Sequence, residues 1–212
     1  MIFLDVRTGG APLSAGHRAQ LATSLTRRLL GEDHFDEAAK PHALERARSL
    51  TTITFAHVDE WIAGGRPVGA ADPTRYLVRV SVPQPWIEEF APHAIPEITR
   101  AIADADDEPE RFADEAHLFV HVVGVPDCGI GVFGQPMSSS ALVRYMTGDG
   151  RPTPADLAAA PEGHAVDPIC GMVVPLDASA LTLELDGSTY GFCSTACRRV
   201  FAEDHATAVV DT

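Results

Sequence analysis

A seven-residue phrase that occurs in two versions constrains the fold of this chain more than any composition figure. "WIAGGRP" ends at Pro67 and "IGVFGQP" ends at Pro136, and each closes a strand–helix–strand pattern. The first pattern opens with "IFLDVRTG", continues through "LSAGHRAQLATSLTRRLL" and returns with "TTITFAHV". The second opens with "RYLVRVSVP", continues through "IEEFAPHAIPEITRAIADAD" and returns with "HLFVHVVGV". The two helical stretches share a further echo, "LTRRL" against "ITRAI". Such doubling predicts two tandem βαβ units, 1–70 and 75–147, within one α/β (α+β) domain over 1–148. Strands joined by a helical crossover pair in parallel, so parallel pairing is expected inside each unit. In the first helix Leu13, Leu21, Leu25 and Leu29 form an apolar stripe, and Ser14 is placed to cap its N-terminus. In the second helix Pro92 and Pro96 are expected to disturb the first turns. The acidic runs "GEDHFDE" and "ADADDEPERFADE" read as solvated surfaces.

Past this domain the pattern changes. Residues 149–165, "DGRPTPADLAAAPEGHA", read as a linker rich in Pro, Gly and Ala. A small module over 166–212 follows. Leu181, Leu183 and Leu185 alternate before Asp186-Gly187, which predicts a β-hairpin. "STACRRVFAED" then reads as a short helix starting at Ser194 or Thr195.

Three of the four cysteines lie in this module, at Cys170, Cys193 and Cys197. No run approaches the roughly 20 apolar residues that span a bilayer. The start of the chain reads as a strand, not a signal peptide, so a cytoplasmic location is expected, where thiols stay reduced. Cysteines there suggest metal binding or catalysis before disulfides. The net charge is −14, from 30 acidic and 16 basic residues. That balance argues against nucleic acid and against an anionic membrane as partners, because both need Lys/Arg to meet phosphate.

Cys193 and Cys197, four apart, share one helix face, and the helix N-terminus favours thiolate there. Cys170 sits in a turn set by Asp167-Pro168 and Gly171 and approaches from the side. Thiolates select zinc first and monovalent copper second. Tetrahedral zinc needs a fourth donor. Charge favours a neutral imidazole, His164 or His205, over Asp167, which also suits a turn. Water or a ligand from a partner protein would serve as well, and Cys128 is a further donor if the module folds back. A module this small has little core, so a bound ion would supply much of its folding energy.

"DPICGM" (167–172), "YGFCS" (190–194), Cys197 and Phe201 resemble the YHS domain, a small treble-clef-like module related to TRASH domains. The resemblance covers 166–208 and implies a metal site made by Cys170, Cys193 and Cys197. The YHS family is linked to heavy-metal transport, sensing and trafficking. The doubled unit over 1–147 resembles the tautomerase superfamily of 4-oxalocrotonate tautomerase and macrophage migration inhibitory factor. It does so through its immediate N-terminal strand, the "LS" helix and the glycine-containing endings. That resemblance implies a four-stranded sheet with two helices on one face, and a homotrimer.

The tautomerase superfamily normally works through an N-terminal proline amine, yet Ile2 stands in that place. A bulky second residue leaves Met1, whose primary amine has a reference pKa of about 7.7–8.0. An isomerase of non-standard base would have Met1 for that base and Arg7 and Arg79 to grip a carboxylate. His57 and His121, on later strands, are read as structural or surface residues. The reading reached from sequence is a metal-handling or metal-sensing protein on an oligomeric tautomerase-like scaffold. A tautomerase-type enzyme and a metal-delivery subunit for a partner enzyme are the alternatives.

Overall fold

The computed structural model describes residues 2–30, 41–148 and 150–205. In chain order the elements of the first half are β1 (Ile2–Gly9), α1 (Ala15–Leu30), α2 (Pro41–Ser49), β2 (Thr51–His57), β3 (Trp61–Ala63), β4 (Arg66–Val68) and β5 (Arg75–Pro83). A 3-10 turn at Gln84–Trp86 leads to α3 (Ile87–Ala103), α4 (Arg111–Asp114), β6 (Leu118–Val125), β7 (Ile130–Val132), β8 (Gln135–Met137) and α5 (Ser139–Thr147). The remainder is α6 (Pro154–Ala158), β9 (His164–Val166), β10 (Val173–Pro175), β11 (Leu181–Leu185), β12 (Ser188–Phe192) and α7 (Thr195–Asp204). The described residues within 1–34, 50–82 and 87–124 form one compact unit, and those within 35–49, 83–86 and 125–212 form a second.

The first unit is a four-stranded mixed sheet, ordered β2-β1-β5-β6, with two long helices. β1 pairs in parallel with β2, Leu4 opposite Ile53, and antiparallel with β5, Val6 opposite Val78. The α+β class and the four-stranded sheet expected from the repeat are therefore present. Alternation along the strands separates two faces. Leu4, Val6, Val78 and Val80 are fully buried and meet the buried face of the helices: Leu21 and Leu25 of α1, Ile98 and Ala101 of α3. Ser14 caps α1 as its position suggested, accepting a hydrogen bond from the His17 amide at 3.1 Å.

α3 runs unbroken through Pro92 and Pro96, against the expectation of disturbed first turns. Both prolines lie on its exposed side, where water can take the freed carbonyls, while Ala94, Ile98 and Ile102 hold the other side in the core. In the second acidic run Asp104, Asp107, Glu108, Glu110, Asp114 and Glu115 are exposed as expected, and one residue departs. Asp106 is not solvated but buried against Arg111, with side chains 10% and 7% exposed. Arg111 donates to Asp106 Oδ1 at 3.0 Å and Oδ2 at 2.5 Å, and its other arm lies 2.9 Å from His117 Nδ1. The Tyr76 hydroxyl closes the group, donating to Asp106 at 3.4 Å. The first run, "GEDHFDE", lies outside the described residues.

The repeated phrases are two small antiparallel hairpins, β3–β4 and β7–β8. Gly64 and Gly65 turn the first; Phe133 and Gly134 turn the second, all with positive φ. In the second unit, α5 packs against α7 through Arg144, which pairs with Glu203 at 2.9 Å and Asp204 at 2.7 Å. Within 149–165, read as linker, Thr153 and Asp156 form a reciprocal cap that starts α6. The predicted β11–β12 hairpin is present with Leu183 opposite Tyr190, and Asp186 and Gly187 both at positive φ in its turn. α7 starts where expected, with Ser194 accepting from the Cys197 amide at 3.2 Å. Beneath it Ile169, Phe192, Cys197, Val200 and Phe201 form a buried cluster.

Candidate metal centre

Local sequence brings three sulfurs to one point. The β12 strand ends at Phe192, so Cys193 lies just before the Ser194 cap and Cys197 in the first turn of α7. The third arrives by a tight turn: Gly171 at φ 82 donates its amide to the Asp167 carbonyl at 2.8 Å, and the Asp167 amide bonds the Met172 carbonyl at 2.8 Å. That turn aims Cys170 at Cys193. Their sulfurs are 3.5 Å apart, and those of Cys193 and Cys197 are 3.7 Å apart. An ion with metal–sulfur bonds of about 2.3 Å in tetrahedral geometry separates its sulfurs by about 3.8 Å. Two of the three sulfur pairs are thus close to the spacing such an ion requires, and all three sulfurs lie within 4.8 Å of one another.

Asp167 is fully buried beside them. Its Oδ1 accepts from the amides of Ile169 at 2.8 Å and Cys170 at 3.3 Å, and its Oδ2 accepts from the amide of Cys193 at 2.9 Å. Ligand atoms of Asp167, Cys170, Cys193 and Cys197 all lie within 4.8 Å of one another. Burial, reinforced by Cys193, pushes the Asp167 carboxyl up to about 7. The thiols divide their protons unequally. A hydrogen bond from Cys193 holds Cys170 down at about 6. The hydrogen bond to Cys170 pushes Cys193 up to about 12, and Cys170 likewise holds Cys197 well above an ordinary thiol. Hydrogen bonding within the trio therefore favours a thiolate at Cys170 over its two neighbours, and a second thiolate beside it needs a cation to stabilise it.

The other sequence-derived candidates stand elsewhere. His164 is exposed in β9, its Nδ1 3.0 Å from the Glu162 carbonyl. His205 ends α7, its Nδ1 2.8 Å from the Phe201 carbonyl and its ring 4.1 Å from that of Phe201. Eight residues separate it from Cys197, about 12 Å of helix. Cys128 is exposed in the turn before β7 with φ 62. None of the three belongs to the cluster. Of the groups considered for catalysis, Met1 lies outside the described residues. Arg7 and Arg79 share the open face of the sheet with Asp5 between them. Arg7 donates to Asp5 at 2.8 Å, and Arg79 is opposite Asp5 in register. His57 Nδ1 lies 3.3 Å from the Thr8 hydroxyl, and His121 is exposed on β6. The reach of Asp167 to the Cys193 amide could not be read from sequence, because 26 residues separate the two; the Asp-Pro turn was its only trace.

No protein-family model matches this chain, and no curated protein matches it. Solved structures do. A structure of Pt0534 inactivated by 2-oxo-3-pentynoate is 13% identical, covering 66% of this chain and 98% of that one, with a TM-score of 0.48. A fused 4-OT, described as a wild type asymmetric trimer, is 15% identical over 63% of this chain and 94% of that one, at 0.45. Leishmania major MIF2 is 20% identical over 64% and 96%, at 0.40. At this level the likeness records a similar sheet and helices, and neither an activity nor an assembly follows from it.

Proposed function

We propose that this chain is a metal-binding protein that handles or senses a soft or borderline ion, zinc first and copper second. Cys170, Cys193 and Cys197 would hold the ion in a YHS-type module over 166–212. The observation that carries this is the spacing of the sulfurs, 3.5 and 3.7 Å. The ion would supply the cation that lets all three thiols ionise together and would tie the Asp167 turn to α7. The part over 1–148, tautomerase-like in its sheet and helices, is read as an oligomeric scaffold, joined by residues 149–165. Ile2 stands where a catalytic proline would be needed, so catalysis is not assigned to it. Among the described residues no helix is long and apolar enough to cross a membrane.

Elemental analysis of protein purified without a His-tag tests the reading. About one zinc or copper per chain is expected, and none in the variant with Cys170, Cys193 and Cys197 all replaced by Ser. A stoichiometric ion retained by that triple variant would overturn the assignment.

A further inference from the structure

Resting on the metal-site reading above, we propose that Asp167 positions the thiolates without ligating the ion, which keeps one coordination position for a donor that none of the described residues supplies. Three backbone amides already bond to the carboxylate, two on Oδ1 and one on Oδ2. Two of its three amide donors belong to Cys170 and Cys193 themselves, so one side chain fixes the backbone of two thiol-bearing residues from separate segments. The Ile169 amide takes a further lone pair. The same residue is tied by its own amide to Met172 and by its own carbonyl to Gly171. A carboxylate held this way lies near the sulfurs because it binds their amides.

Chemistry points the same way. A hard oxygen is a poor competitor at an ion chosen by three thiolates. The two histidines and Cys128 stand outside the cluster. Cys170 and Cys193 are half-buried while Cys197 and Asp167 are buried, so an outside donor would enter on the side of the first two. The donor that fits is a single soft or borderline atom, an imidazole nitrogen or a thiolate.

Cobalt(II) bound to the full chain reads both halves of this statement. Thiolate-to-metal charge transfer counts sulfur ligands, and the d–d envelope reports the fourth donor. In wild type, added imidazole is expected to shift the d–d envelope saturably while charge transfer persists. Asp167→Asn should give the same starting envelope and the same imidazole response, with cobalt retained about 10–100-fold less tightly against a chelator. A wild type indifferent to imidazole, beside an Asp167→Asn variant whose envelope changes and becomes responsive, would identify Asp167 as the fourth ligand and overturn the proposal. Absence of charge transfer in wild type would instead sink the metal reading itself. Amide exchange in the metal-free chain provides a readout free of that reading. Asp167→Asn should speed exchange at Cys193, whose amide the new carboxamide nitrogen cannot accept, and unchanged exchange there overturns the anchoring role.

Discussion

Two residues show how the environment, more than residue type, sets chemistry in this chain. Cys170 is one of three neighbouring thiols, yet the bond from Cys193 lowers it to about 6 while Cys193 rises to about 12. In metal-free protein at pH 7, iodoacetamide should therefore alkylate Cys170 well before Cys193 and Cys197, as mass spectrometry of timed quenches would show. Equal rates at all three would contradict the asymmetry. His117 is the second case. Burial lowers its pKa from 6.5, helped by the charges of Arg75 and Arg111 and opposed by Glu115 and Asp106. Its Nδ1 faces an Arg111 donor at 2.9 Å, so the folded chain favours the neutral ring. The unfolded chain takes up a proton near pH 6.5 that the folded one resists. This contribution to stability is complete above that pH and is lost as pH falls through the depressed folded value. Urea unfolding of wild type at pH 7.5 and 5.5 should show that fall, with a smaller one in His117→Gln, whose carbonyl can still accept from Arg111. The pairing of Cys193 with Cys197 was legible from spacing, and the approach of Cys170 from its turn residues and the family resemblance. The partners of Asp106 and Asp167 were not, because buried polar bonds between distant segments leave no periodic signal.

At the scale of elements, local rules were read correctly at several boundaries marked by a turn or cap residue, while the Ser138 cap of α5 and the Thr153 cap of α6 went unread. Ser14, Ser194 and Asp186-Gly187 stand where their elements begin or turn. The helices α2 and α5 went unread, and so did the straight course of α3, since tertiary packing decides them. The paired hairpins offer a test of a broken local rule. A turn with two positive φ values favours Asn-Gly or Gly-Gly, and β3–β4 has Gly64-Gly65. β7–β8 instead places Phe133 at φ 54, with 73% of its surface exposed and its ring 5.4 Å from that of Tyr145. Left-handed backbone costs a bulky residue roughly 1–2 kcal/mol. Phe133→Asn should thus raise stability by up to about 1 kcal/mol after loss of the Tyr145 contact, measured by chemical denaturation. A loss of stability would mean that the ring contact outweighs the strain. Gly191 in β12 shows the opposite constraint. A Cβ there would meet the Ala165 Cβ at 2.9 Å and the Val174 Cγ2 at 3.0 Å. Gly191→Ala should push β9 and β10 off the hairpin and cost about 1–3 kcal/mol, the range for overpacking.

For the whole molecule the decisive feature is a sheet finished on one side only. The helices bury the face of Leu4, Val6, Val78 and Val80. The opposite face carries Phe3, Phe119 and Val123 at 39%, 49% and 39% exposure, with Arg7 and His121 also exposed among them. β2 and β6 also leave both edges of the sheet unpaired among the described residues. Exposed edges beside apolar side chains invite pairing with another chain. On this face β1 carries Phe3, β5 carries the half-buried Leu77 and β6 carries Phe119 and Val123, while β2 presents Thr52, Thr54 and Ala56. Association centred on the β6 edge would bury Phe119 there, with the threonines of β2 toward the rim. The homotrimer that the sequence resemblance implies is proposed for it, and light scattering at micromolar concentration should then return three chain masses. Phe119→Asp would put a desolvated carboxylate at that centre, and its burial cost should shift the mass toward that of one chain. Near-ultraviolet circular dichroism of the variant checks that its fold survives. A wild type with the mass of a single chain would mean that this face stays in water, and that the scaffold role assigned to residues 1–148 has no assembly to support.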